Sequence, residues 1–145
     1  MAITQAIANA FKKQLLEGDQ NFASGGDVFK LALYTSSATL NSTTTAYADT
    51  NEVGNSGSYS AGGGALVNNG TSIASGVAIV DFADLSFTSA TITARGALIY
   101  NTSSVTTNAA VAVLDFGGDK TSTSGTFTVQ FPAFSTAAAI LRISG

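Results

Sequence analysis

Carboxylates carry most of the chemical potential of this chain, because it contains no His and no Cys. Asp81 and Asp84 stand three apart, and Asp115 and Asp119 stand four apart around Gly117-Gly118. Two carboxylates facing one cleft can hydrolyse a glycosidic bond or hold a cation. A calcium loop wants oxygen ligands at alternate positions, closed by a bidentate Glu. No Glu follows Glu52. Both pairs fall at the ends of expected strands, where Asp bonds nearby amides and shapes turns. The turn role is the expected one, with Asp81 or Asp115 in a cell-wall glycoside hydrolase as the catalytic alternative.

The other chemical signals are weaker. Without His there is no Ser-His-Asp triad and no imidazole ligand. Without Cys there is no disulfide, thiolate nucleophile or iron–sulfur cluster. Asp115-Phe116-Gly117 spells a kinase tripeptide, but no catalytic loop or ATP loop accompanies it. Gly62-Gly63-Gly64 leads into Ala65, not into the Gly-Lys-Ser/Thr of a phosphate loop. Asn41-Ser42-Thr43, Asn69-Gly70-Thr71 and Asn101-Thr102-Ser103 match the glycosylation sequon, as chance provides in a Ser/Thr-rich chain. Arg95 has two readings: an ion pair with an Asp of its own domain, or an anchor for a carboxylate across an interface. Tyr47, Tyr59 and Tyr100 are candidates for stacking on sugars, or plain filler. No catalytic residue, cofactor site or metal site is assigned.

The 145 residues fit one domain, 1–145. Hydrophobic residues make up 45%, inside the globular range, while only 10% are charged and 36 are Ser or Thr. The net charge of −3 has the wrong sign for phosphate backbones, so nucleic acid is not an expected partner. No apolar run is long enough to span a bilayer, and the N-terminus lacks the pattern of a secretory signal. Cytosolic synthesis without a membrane partner is expected.

The elements that would position these residues are mostly strands. Ile3, Ile7, Phe11 and Leu15 recur every four residues and predict a helical arm over 3–17, with Thr4 as N-cap and Gly18 as stop. Its apolar stripe packs either on its own domain or on a neighbouring subunit. Phe29, Leu31 and Leu33 then alternate as in a half-buried strand. A polar stretch from Thr35 to Gly64 follows, long enough to hide short strands or to be ordered by a neighbour. Asn69-Gly70 is a hairpin signal. Residues 76–82 read as a central strand. Leu85 and Phe87 share a parity that Ile92 breaks, which predicts a bulge or break near Ser89. Residues 97–101, 109–116, 125–131 and 137–143 complete about eight strands. This cadence predicts a mainly β fold, an antiparallel β-sandwich or jelly roll with a short N-terminal α-helix.

Whole segments also resemble a family. The runs Phe29–Thr35, Ala46-Tyr47 with Thr50–Val53, Thr91–Ala97 and Val113–Gly117 are similar to small virion proteins of tailed bacteriophages, of the capsid cement (decoration) type. The resemblance implies a non-enzymatic β-sandwich or jelly-roll module on the capsid exterior. It would stabilise the shell, bind the major capsid protein and self-associate as a dimer or trimer. A tail, tail-fibre or receptor-binding module of the same architecture is the alternative. On the capsid reading two contact regions are expected. One is the apolar stripe of Ile3, Ile7 and Phe11; the other is the loop from Asn51 to Gly64, with Asn51, Glu52 and Tyr59.

Overall fold

A computed structural model describes residues 2–132 and 140–144. It is mainly β, with antiparallel sheets and one short helix. In chain order the elements are β1 (Ala6–Ile7), α1 (Asn9–Leu16), β2 (Phe29–Tyr34), β3 (Gly64–Ala65), β4 (Asn68–Ala74), β5 (Val77–Phe82), β6 (Leu85–Asn101), β7 (Ala109–Val129) and β8 (Leu141–Ser144). One sheet has the order β1-β7-β6-β2-β3 and the other β4-β5-β8. Their shared core joins Phe29 and Leu31 of β2 to Phe82 of β5 and Leu141 of β8. That arrangement is consistent with a β-sandwich, and this strand order lends no support to the finer jelly-roll expectation. No helix among the described residues is long and apolar enough to cross a membrane.

The N-terminal expectation needs correction. Residues 3–7 are not helical: Ile3 bridges Leu40, while Ala6 and Ile7 pair with Val113 and Ala112 at the edge of the larger sheet. The helix starts only at Asn9, behind Ala8, and Thr4 caps nothing; its amide donates to the Leu40 carbonyl instead. A spacing of four is ambiguous, because it keeps side chains on one face of a strand as well as one face of a helix. Strand pairing settles the first two positions, and Gly18 ends the helix with φ 77° as expected.

β6 and β7 form the longest feature, strands of 17 and 21 residues joined through residues 102–108. The parity slip after Phe87 is a bulge in one continuous strand. Register shifts flank Ala90, and Ser89 takes φ 50°. The extra residue returns Ala90, Ile92 and Ala94 to the buried side after Phe87. Segments 85–101 and 109–129 are therefore one strand each. The expected 137–143 strand lies partly outside the described residues, and its remainder belongs to β8. Asn69-Gly70 is not the hairpin turn either. It sits in a bulge of β4, while Ser75-Gly76, both at positive φ, join β4 to β5.

Candidate functional site

Glu52 organises the long polar segment. Its backbone bridges Tyr34 at the end of β2, and its carboxylate turns in towards the sheet. The Tyr47 hydroxyl donates to Oε1 at 2.5 Å, and the Tyr59 hydroxyl donates to Oε2 at 2.6 Å. The Gly62 amide donates to the same Oε2 at 2.7 Å. Tyr100 on β6 closes the cluster: its hydroxyl donates to the Gly62 carbonyl at 2.6 Å, and its ring stacks on Tyr47 with centroids 4.7 Å apart. Tyr34 donates to the Ala48 carbonyl on the same side. All four tyrosines of the chain thus gather around one carboxylate.

The electrostatics follow from this packing. Burial pushes all four phenols up, and the Glu52 charge pushes the same way. Tyr100 rises to about 12, and the other three go higher. Protonated hydroxyls are what the cluster needs, since each acts as a donor. Tyr59 also accepts from the buried Leu33 amide at 2.8 Å, which ties the loop to β2 through a single oxygen.

Two further attachments hold the loop. Gly63 lies so close to β2 that a Cβ there would sit 1.7 Å from the Leu31 carbonyl oxygen, and its φ is 80°. Only glycine fits such an approach. The Ser89 bulge supplies the other attachment. Ser58 Oγ accepts the Thr88 amide and Ser56 Oγ the Thr91 amide, while the Ser58 amide donates to the Thr88 carbonyl. A strand with an extra residue leaves backbone groups unpaired, and this loop pairs them. What remains outward is an exposed rim of Asn51, Gly54, Asn55, Ser58 and Ser60, without a charged group.

The expected contact residues are placed as follows. Ile3 and Phe11 are buried in the chain's own core, and Ile7 is half-buried against it. The stripe is packed in cis, so the reading of an arm free to dock on a neighbour is corrected. Ile7, Phe11 and Leu15 instead wall an apolar groove of about 240 Å³ over the smaller sheet. Asn51 is exposed at φ 62°, with its carbonyl accepting from Thr35 and its side chain donating to Ser37. Glu52 and Tyr59 face inward and hold the loop from beneath. Tyr59 and Tyr100 are buried and offer no open face to a sugar, and half-buried Tyr47 has one face stacked on Tyr100.

The carboxylates separate into two environments. Asp115 pairs with Arg95 at 3.2 Å within the domain and accepts the Gly117 amide at 2.9 Å, the turn role expected of it. That amide and the guanidinium hold its carboxyl below the usual range. Asp84 accepts the Phe131 amide. Asp81 is 3% exposed, and its Oδ1 has no hydrogen-bond partner among the described residues. Burial pushes its carboxyl up, with Asp84 adding to the rise against the amides of Phe82 and Ile140. Among the described residues no three acidic groups converge as a metal site would require.

Sequence reasoning missed Tyr34 and Gly62 and gave Tyr47 and Tyr100 another role. The six members of the cluster come from β2, β6 and scattered positions of the long loop between β2 and β3, so no local pattern could unite them. A faint signal was available: a lone mid-chain Glu beside a glycine run in a chain with few charges. Comparisons with family models, curated proteins and solved structures find no match to this chain.

Proposed function

We propose that the protein is a non-enzymatic structural component of a bacteriophage virion that binds the outside of the capsid and stabilises it. The observation that carries this reading is the anchored loop. Its hydrogen-bonding capacity splits in two: Glu52, the β6 bulge and the loop's own amides consume one set, which includes the Ser58 hydroxyl and the Asn55 carbonyl oxygen, while the Asn55 NH₂ group and the Ser60 hydroxyl remain on the exposed rim in a fixed shape. A surface ordered before binding avoids the entropy cost of ordering it on contact. Uncharged Asn and Ser side chains suit a partner whose own surface offers backbone and amide groups. The segmental resemblance to cement proteins supplies the partner, the major capsid protein. Repetition over a shell lets modest contacts add up through multivalency.

The test compares virions made with and without the protein, and with Gly54→Arg/Ser60→Arg, two exposed rim positions whose side chains anchor nothing. Cement predicts a density on the capsid exterior, in hundreds of copies per particle, and heads that lose resistance to heat and osmotic shock when it is absent. The double variant should fold normally yet leave the particle bare. Heads equally resistant in both cases refute the reading, and label on the tail in few copies moves the protein to the tail module.

A further inference from the structure

The smaller sheet ends in an edge that pairs with no other strand among the described residues. Among the described residues β4 pairs only with β5, and residues 71–74 are all exposed, with Ile73 at 73%. Edges of soluble proteins are usually blunted by a charge, a proline or a bulge. This one has no such device from Thr71 to Ala74, because the bulge of β4 lies between Asn68 and Thr71. The sequence around it is equally bare of charge: residues 53–80 contain no Asp, Glu, Lys or Arg.

The ladder determines which backbone groups face outward. Ala74 pairs with Val77 across the two-residue turn, and Ser72 pairs with Ile79. In an antiparallel ladder closed by such a turn, the turn-flanking pair and every second pair beyond it exchange hydrogen bonds. Ala74 and Ser72 therefore spend theirs on β5, and Thr71 and Ile73 turn their N–H and C=O groups to solvent. Two outward residues separated by one inward residue match a second copy of themselves run antiparallel. The side chains agree. Ile73 lies in one cross-strand row with Ala78 and Ile143, two residues that line the apolar groove, and Ile143 is also exposed.

We propose that two copies of this chain pair antiparallel through the outer edges of β4, with the two-fold axis at Ser72. Thr71 of each copy faces Ile73 of the other in a hydrogen-bonded pair, and the two small sheets become one continuous sheet. The second copy is the occupant that the edge itself specifies. Its donors and acceptors are self-complementary in this register, and the uncharged stretch sets up no repulsion between like surfaces. Ile73 of each copy then packs beside Thr71 of its partner, which extends the apolar row across the axis. This pairing belongs to the isolated chain. Its failure leaves the capsid reading standing, and a dimer that ignores capsids overturns only the latter.

The absence of cysteine makes the test clean. Across the axis the two Ser72 residues form a non-hydrogen-bonded pair, with Cα atoms about 4.5 Å apart, inside the range a disulfide spans. Purified Ser72→Cys should form a covalent dimer under mild oxidation on the order of 100-fold faster than Ser24→Cys on an exposed loop, through effective concentration. In sedimentation equilibrium the wild type should show twice the 14.5 kDa chain mass, and Ile73→Lys the single mass with an unchanged circular dichroism spectrum. Wild type that sediments as a monomer or trimer overturns the proposal. So does a dimer that survives Ile73→Lys, or cross-linking of Ser72→Cys no faster than the control. Should Ile73→Lys misfold, the cross-linking rates decide alone.

Discussion

Replacing Glu52 with Gln isolates what the carboxylate does for the loop. The shape is retained, so the change is one of charge and hydrogen-bond sense. Oε2 accepts two donors, Tyr59 and Gly62, and Oε1 accepts one, Tyr47. The amide oxygen of Gln will take the two-donor side, and its NH₂ will face Tyr47. Bonds to a charged acceptor contribute about 1.5–3 kcal/mol each and neutral ones about 0.5–1.5, so the two retained bonds weaken by about 1 kcal/mol each. Tyr47 is half-buried, and its hydroxyl can turn to water, which keeps the third change small. The expected loss is about 2 kcal/mol, out of a total stability of about 5–15 kcal/mol. With a urea m-value near 2 kcal/mol/M, the midpoint should fall by about 1 M at constant m. Circular dichroism follows the transition, since the chain has no Trp. Glu52→Ala leaves all three donors without the carboxylate and should cost about 4 kcal/mol or more. Tyr47→Phe should destabilise the wild type but add little to Glu52→Gln, as coupled partners do. A Gln variant with an unmoved midpoint, or an additive Tyr47→Phe, would refute the carboxylate as the loop's anchor.

Five further outcomes follow from the same structure. Tyrosines whose folded pKa lies above the unfolded value of about 10 stabilise the fold fully below pH 10, and that contribution falls as pH rises beyond it. Phenolate absorbance should therefore appear together with loss of the circular dichroism signal, and early phenolate formation in a folded chain would contradict the cluster. Asp81 is raised, so wild-type stability should increase as pH falls towards the unfolded carboxyl value near 3.8, and Asp81→Asn should abolish that gain in acid-range urea melts. Asp115 is lowered and works in the opposite direction, so Arg95→Ala should reduce the acid loss of stability that the pair causes. Gly63→Ala should cost about 4 kcal/mol or more, read by thermal melting, because its Cβ collides with backbone and not with a movable side chain. Removal of residues 2–17 deletes β1 and the buried Ile3, Ala8 and Phe11, and should leave a chain without a cooperative transition. A truncated chain that melts normally would return those residues to the role of a detachable arm.

Local rules were enough for what neighbours along the chain decide. Alternation at Phe29, Leu31 and Leu33 marked β2, the parity slip after Phe87 marked the bulge, and Gly18 marked the helix stop. Each depends on the conformation of a few consecutive residues. Positions 3–7 were ambiguous for the same reason: their spacing fits two periods, and the choice fell to Leu40 and Ala112, far away in the chain. Asn69-Gly70 and Ser75-Gly76 both suit a tight turn, and the register of β4 on β5 picked the second.

The composition by itself determined that this chain lacks imidazole and thiol chemistry and favours strands, because those properties belong to residue types and short-range pattern. Tertiary structure alone decided the use of its carboxylates and tyrosines. Glu52 became an anchor because Tyr47, Tyr59 and Gly62 arrive from different turns of a long loop, onto a sheet that Tyr100 helps to build. Burial of a charged acceptor is stable only where donors surround it, and that condition is set by folding in three dimensions.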